Sequence, residues 1–499
     1  MNVILGSFTA RCFPALTFTA GGWAVAMGRR GGRMRFVLKG KMEQGIPALT
    51  WEKQGGDRAS LRDMVNQWGY SLKEDCQIDL EAFGAEMFQG PVSEAAGFLT
   101  EALMQGAYRF GRKALGPGAS EKIFELRDEL AALPEITVYL VLSGKAAEGK
   151  AVEDEIARGQ CLGRCRNYAR MLGDLPANYL TADELCLYAQ RLAEAKPILS
   201  LEIFRDQELR RMGCGGILGV NQASKTSAAL LHLRYEGRSE GPVTALVGKG
   251  VMFDSGGIHL KSMSDMEGMK YDMCGGADVL CLMEYAAETG MDLPLAAAIP
   301  LVENATGENS LRMGDVITMV SGTTVEVYNT DAEGRLILAD ALAFAAREAD
   351  RLVDLATLTY SCRDALGDET AGFFCNDEAL ASQVENAAKV SGEMVWRLPL
   401  GERYRRQLFW SKVADMANYM PDKRAGASVA GCFLEEFVEG KPWVHFDMVG
   451  PAVQRAENGR MEKGAAGRMF AAAAKLLECG LTKGEDRNGT GGKKEGRGA

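Results

Sequence analysis

Histidine is scarce in this chain of 499 residues: only His232, His259 and His445 occur, and none stands in an HExxH frame. That excludes the helical two-histidine zinc site, and His232 and His445, set inside apolar runs, read as core or near-core residues. CxxC pairs are missing too. The twelve cysteines lack the regular spacing of a disulfide framework, which suits a reducing compartment with buried or idle thiols, and the cytoplasm is the expected location. Cys161 and Cys165 of CLGRC are spaced i, i+4; with no second Cys or His pair at zinc-site distance, they read as a helix face touching the core. No run is long and apolar enough for a membrane span. A basic excess is absent as well. The net charge of −10 argues against a general nucleic-acid surface and leaves a small-molecule or peptide substrate as the expectation. GKG at 248–250 lacks the GxxxxGK[ST] frame, so a P-loop is excluded.

What is present describes a globular chain, 25% charged and 47% hydrophobic, with length for two or three domains. Residues 13–27, FPALTFTAGGWAVAM, are uncharged and mimic a signal cleavage site at Ala24-Val25-Ala26. Their basic residues, however, mostly follow the stretch (Arg29, Arg30, Arg33), the reverse of a signal peptide's order. Core strands of the first domain, or a start codon misread upstream of Met27 or Met34, are the alternatives. Residues 1–150 mix apolar runs such as ITVYLVLSG (136–144) with helical patterns such as SEKIFELRDELAAL (120–133), which predicts a small α/β domain. Residues 151–173 predict one long connecting helix, stopped by Gly173 and LPANYLT. Over 174–481, strand-like runs (LEIF, AALLHLRY, VTALVG, LPLAAAIPLV, TTVEVYN, LVDLATLT, WVHFDM) separated by helical segments predict a βα-rich sheet covered by helices. Residues 482–499 are rich in Gly and charge, with nothing to bury, and are expected to be disordered.

Three clusters carry the chemistry. NTDAEGRL (329–336) gathers Asp331, Glu333 and Arg335 between a β-like run and the helical pattern LILADALAFAAREA. VGKGVMFDSGGIHLK supplies Lys249, Asp254 and Lys261 after a strand, and MKYDMCGG supplies Asp272 before a helix. Each lies where a strand hands over to loop or helix, the edge at which α/β sites gather, so the three could meet. Taken singly they are ambiguous: DAE before a helix is more often capping than metal binding, and FDSGG reads as an Asx turn. Together, Asp254, Asp272, Asp331 and Glu333 would bring four negative charges into one pocket, which two divalent cations would balance. Oxygen-rich ligation suits Mn²⁺, Mg²⁺ or Zn²⁺, and hydrolytic pairs stand roughly 3.5–4 Å apart. Lys249 could add a nitrogen ligand if its pKa is depressed, while Lys261 and Arg335 remain as cations for an oxyanion and an anion at a helix N-terminus.

GKGVMFDSGG with Lys261, MKYDMCGGAD and NTDAEGRL, in this order, resemble the leucyl aminopeptidase family of metallopeptidases, also called M17. The likeness runs from about NYLT (178–181) through ATLT (356–359), WRLPL (396–400), SKVADMAN (411–418) and WVHFDMVG (443–450), and is much weaker before residue 160. It implies a smaller macro-like N-terminal α/β domain, a larger catalytic α/β domain with a mixed central sheet flanked by helices, and a homohexamer. It further implies that Lys249, Asp254, Asp272, Asp331 and Glu333 hold two metal ions, Mn²⁺ or Zn²⁺, with Asp254 and Glu333 bridging. Lys261 would stabilise the gem-diolate, and Arg335 would hold a bicarbonate acting as general base. The substrate is then a peptide with a free α-amine, bound in part by Met269, Thr357, Leu358 and residue 360. At that last position the family usually has Gly after ATLT, whereas this chain has Tyr360, which would shrink or reshape the side-chain pocket if it points inward. An endopeptidase or amidase with the same dimetal chemistry would differ by tolerating a blocked N-terminus, and a non-catalytic DNA-binding role is disfavoured by the acidic balance.

Overall fold

The computed structural model describes residues 34–39, 41–51, 57–142, 149–422 and 424–479. The expectations for residues 13–27 and for the tail 482–499 lie outside the described residues.

The first part of the chain builds a three-stranded parallel sheet from β1 (Met34–Lys39), β2 (Cys76–Asp79) and β3 (Ile136–Val141), in the order β1-β3-β2. Strand β3 alternates as its period-two pattern requires, burying Ile136, Val138 and Leu140. Helix α1 (Arg58–Ser71) starts at Asp57, whose side chain accepts from the Ser60 N–H. It packs against α2 (Val92–Ala107), most of whose residues are buried. The SEKIFELRDELAAL pattern does not form one helix. It breaks into a 3₁₀ turn at Ser120–Lys122, a single helical turn at Arg127–Leu130 and a short strand at Ala131–Ala132. Tertiary packing overrides the period here: Ile123 and Leu130 enter the main core, and the Arg127 guanidinium stacks on the rings of Phe124 and Tyr168.

Helix α3 (Gly149–Asp174) joins this part to the rest. Almost all of it is buried from Cys161 onward, and Cys161 and Cys165 both enter the core. Its buried cations are partnered: Arg166 pairs with Glu101 of α2 and with Glu393, the latter at 3.1 Å, and Arg170 donates to the carbonyls of Gln105 and Ala465, each at 2.7 Å.

The larger part is organised by a nine-stranded mixed sheet. Its strands are β4 (Leu199–Arg205), β5 (Ala229–Tyr235), β6 (Thr244–Gly248), β7 (Gly250–Asp254), β8 (Leu295–Asn304), β9 (Arg351–Ala356), β10 (Thr370–Cys375), β11 (Met394–Arg397) and β12 (Trp443–Asp447). The order is β11-β10-β12-β9-β6-β8-β5-β4, with β7 continuing past β6 to pair with β8. The central strands β12, β9, β6 and β8 run parallel, so their carboxyl ends share one edge. Strands β6, β9 and β12 are buried on both faces, as expected for a sheet covered by helices on either side. Helix α4 (Cys274–Thr289) packs in the core on one face and α5 (Glu333–Ala346) in the core on the other. The run TTVEVYN leaves this sheet, since Thr324–Glu326 pairs instead with Val316–Thr318 and Met416–Ala417 in a separate three-stranded sheet.

Candidate active site

The carboxyl edge of the central strands delivers the three clusters to one place. Lys249 follows β6, Asp254 ends β7, and Thr357 follows β9. From the flanking layers, Asp272 arrives two residues before α4, and Glu333 is the first residue of α5. Asp331 precedes the helix that Glu333 begins, with Ala332 between them at its N-cap. A carboxylate in the first turn of α5 is favoured by the helix dipole, which helps hold Glu333 there although it is only 2% exposed.

Oxygen atoms of Asp254, Asp272 and Glu333 lie within 4.8 Å of one another. The Lys249 ammonium stands 2.8 Å from Asp272 and 2.9 Å from Glu333 Oε1, and it also donates to the Thr357 carbonyl at 2.8 Å. Gly334 makes this possible, because a Cβ there would lie 2.7 Å from Lys249 Nζ. Lys261 bridges the other two acids, 2.8 Å from Asp254 Oδ2 and 2.5 Å from Asp331 Oδ1. The two lysines are thus the cations that keep the four carboxylates together. Arg335 is buried, donates through Nη1 to the Asn418 carbonyl at 2.8 Å, and lies 5.4 Å from the Tyr419 ring; its Nε has no acceptor.

The electrostatics are those of an acidic pocket short of positive charge. Burial raises the pKa of Asp254 and of Asp272, with Glu333 adding to the shift at both. Burial pushes Asp331 up to about 7, reinforced by Glu333 and Asp254 and opposed by Lys261. At Glu333 burial acts in the same sense, but Lys249 and Lys261 outweigh it and hold its pKa below the usual range. Burial also works against both ammonium groups, yet the surrounding carboxylates raise the pKa of Lys249 and of Lys261. For Lys249 this is the reverse of the depression expected of a nitrogen ligand. Burial brings Arg335 down to about 10 against the pull of Tyr419, Glu333 and Asp447.

These residues fit divalent cations on their own chemistry. Four carboxylates outnumber two ammonium groups, and Glu333 Oε2 is buried with no hydrogen-bond donor, a costly state that a cation relieves. The unpartnered Nε of buried Arg335 likewise fits a small anion.

The predicted substrate residues line the same place. Thr357 donates its hydroxyl to Asp272 Oδ1 at 2.7 Å, and the Leu358 N–H donates to Asp447 Oδ1 at 3.2 Å. Tyr360 opens the helix Tyr360–Leu366, with its ring 5.4 Å from Lys261 Nζ and its hydroxyl 3.9 Å from Met269 Sδ. It reaches across the site and remains 37% exposed.

Sequence reading missed the residues that hold these in register. Asn304 Nδ2 donates to Asp254 Oδ1 at 2.8 Å and to the Thr330 carbonyl at 3.1 Å, tying the second cluster to the first. His259 Nδ1 accepts from the Thr330 N–H at 3.1 Å, and Asn418 Oδ1 accepts from the Tyr328 N–H at 2.8 Å. Gly256 adopts φ +85°, and a Cβ there would lie 2.4 Å from the His259 carbonyl oxygen. The glycines of FDSGG were the available signal for a close turn; nothing in the sequence paired Asn304 with residues 50 earlier or 26 later.

Residues 167–473 match the family described as the cytosol aminopeptidase family, catalytic domain. The chain is similar to a probable cytosol aminopeptidase of Chlorobaculum tepidum, 42% identical over 402 residues, which covers 79% of this chain and 77% of the relative. Among solved structures it is similar to the bottromycin maturation enzyme BotP in complex with Mn, with 29% identity, a TM-score of 0.74, and coverage of 86% of this chain and 89% of that one. The cytosol aminopeptidase from Coxiella burnetii is similar too, with 29% identity, a TM-score of 0.71 and 85% coverage of each chain.

Proposed function

Because the chain belongs to the cytosol aminopeptidase family and is a metal-dependent aminopeptidase, we propose that it releases N-terminal residues from peptides by the following division of labour. Lys249, Asp254, Asp272, Asp331 and Glu333 hold two divalent cations, Mn²⁺ or Zn²⁺. The observation that carries this is the meeting of Asp254, Asp272 and Glu333 around a buried oxygen with no donor. When bound, the cations supply the Lewis acidity that makes water nucleophilic near neutral pH. Lys249 binds only as the neutral amine, so its ligation releases a proton.

Lys261 is kept protonated by the acids around it. Its ammonium meets the oxyanion that develops at the scissile carbonyl and stabilises the gem-diolate. Arg335 holds bicarbonate, whose contribution is that of a general base. Met269, Thr357, Leu358 and Tyr360 form the side of the site that receives the first residue, Tyr360 limiting its size. Recognition of a free α-amine makes the enzyme an exopeptidase.

The domain division proposed is an N-terminal macro-like unit to residue 150, a connecting helix, and a catalytic domain over 174–481. A homohexamer in the cytoplasm completes the reading. The compartment is supported by the naming of the relative as a cytosol enzyme. Among the described residues no helix is long and apolar enough to cross a membrane. Sedimentation of the purified protein tests the hexamer.

The deciding experiment compares aminoacyl p-nitroanilides, free and N-acetylated, for wild type and Glu333→Ala loaded with Mn²⁺ or treated with a chelator. Cleavage confined to free amines, dependent on metal and lost in Glu333→Ala, is expected. Equal cleavage of blocked substrates overturns the exopeptidase assignment.

A further inference from the structure

Asp447 ends strand β12 with its carboxylate wholly buried. Oδ1 accepts from the N–H groups of Leu358 and Thr359, each at 3.2 Å, and Oδ2 accepts the Thr359 hydroxyl at 2.6 Å. That hydroxyl oxygen accepts in turn from the Cys362 N–H at 3.2 Å and so caps the helix that begins at Tyr360. One carboxylate therefore holds both residues after Thr357 and the helix carrying Tyr360.

On its other side the same segment reaches the acidic pocket. The Thr357 carbonyl accepts from Lys249 at 2.8 Å, and its hydroxyl donates to Asp272 Oδ1 at 2.7 Å. Two backbone N–H groups and one hydroxyl converge on this single buried carboxylate, so it holds the segment at three points. His445 lies two residues earlier on the same face of β12, with Nδ1 hydrogen-bonded to Asp354, and Trp443 Nε1 donates to Asp354 at 2.6 Å. Asp447 thus projects from a packed polar column rather than from a mobile loop.

We propose that Asp447 is a positioning residue for hydrolysis: it fixes Leu358 and Thr359 so that Thr357 presents its carbonyl to Lys249 and its hydroxyl to Asp272. The proposal rests on the reading of Lys249 and Asp272 as metal ligands. A carboxylate that served stability alone would not tune either of them, whereas groups that orient metal ligands change metal affinity when removed.

The test uses the full chain as Asp447→Asn, Asp447→Ala and Thr359→Val, each measured for Tm, for Mn²⁺ affinity by calorimetry, and for kcat and KM on leucine p-nitroanilide. Asn keeps an acceptor for both N–H groups, so its Mn²⁺ affinity stays within about threefold of wild type, while Asp447→Ala binds Mn²⁺ about tenfold or more weakly and loses kcat in parallel. Thr359→Val, which removes the hydroxyl's bond to Asp447 and its cap on the Cys362 N–H but leaves both N–H bonds to Asp447, moves both quantities the same way by a smaller factor. A fall in Tm with Mn²⁺ affinity and kcat unchanged assigns Asp447 to stability and overturns the proposal, as does a loss in Asp447→Ala that Asp447→Asn shares in full. Should Asp447→Ala fail to fold, Thr359→Val decides: wild-type Mn²⁺ affinity and kcat there overturn the proposal. Glu333→Ala is the control. Undiminished Mn²⁺ binding in that variant overturns the ligand assignment and this proposal with it, whereas lost binding there beside unaffected Asp447 variants overturns the proposal alone.

Discussion

The hydroxyl of Tyr360 donates to the carbonyl oxygen of Asp265 at 3.1 Å, which pins the ring across the site between Lys261 and Met269. A side chain held this way occupies space that glycine would leave open. We predict that Tyr360→Gly raises kcat/KM for leucine relative to alanine p-nitroanilide by roughly tenfold, and that Tyr360→Phe keeps the wild-type order of Leu, Met and Ala. An unchanged order in the glycine variant would refute the pocket role.

Lys261 neutralises Asp254 and Asp331 while facing the place where an oxyanion forms. Replacing it removes a transition-state donor but leaves every proposed metal ligand, with one positive charge fewer beside them. Lys261→Met is therefore expected to lower kcat by roughly 10²–10³-fold without weakening Mn²⁺ binding. Calorimetry alongside turnover checks both halves; a variant that no longer takes up Mn²⁺ would make Lys261 a structural counter-ion.

Asn304 spans Asp254 and the Thr330 carbonyl and is 4% exposed. Its removal frees one proposed ligand and loosens the turn that carries Asp331. We predict that Asn304→Ala weakens Mn²⁺ binding by roughly 10–100-fold, read by titration with the metal. Affinity at the wild-type level would show that Asp254 is held by its own strand.

Asp340 of α5 accepts from the Val320 N–H at 2.8 Å and the Ile217 N–H at 3.0 Å, and burial pushes its pKa up to about 7 against those bonds. The folded pKa lies above the unfolded value of about 3.9, so the folded chain binds the proton more tightly. Its contribution to stability is complete below the unfolded pKa and declines as pH rises through about 7. Asp340→Asn loses one acceptor and is less stable than wild type, but that deficit should narrow between pH 5 and pH 8. Paired Tm measurements at the two pH values test it, and a constant or widening deficit contradicts the raised pKa.

Much of this is legible in the sequence. Seven strand-like runs each contain a strand, and the helical patterns after Asp272 and NTDAEGRL became α4 and α5. The strands of the central sheet and the two helices are strongly patterned and buried, so local preference and tertiary demand agree, whereas TTVEVYN supplies only the short strand Thr324–Glu326 of a separate sheet. The pattern failed at residues 120–133, where Arg127 stacking and the burial of Ile123 and Leu130 selected short turns over one helix. Strands β10 and β11 were not foreseen either; β10 pairs antiparallel with β12 and parallel with β11, partnerships set by the sheet as a whole.

At the site, charge and the order of three clusters suggest that Lys249, Asp254, Lys261, Asp272, Asp331, Glu333 and Arg335 could meet, and the resemblance to the leucyl aminopeptidase family implies their roles. What their sequence positions left undecided was protonation and support. Lys249 carries a raised pKa because Asp272 and Glu333 flank it in space. Asn304 and Asp447 matter because parallel strands bring their ends together across 50 to 90 residues of chain. Charge and period are local properties and can be read from a string of residues; desolvation and hydrogen-bond partnership depend on which distant segments share a volume, and only the folded sheet determines that.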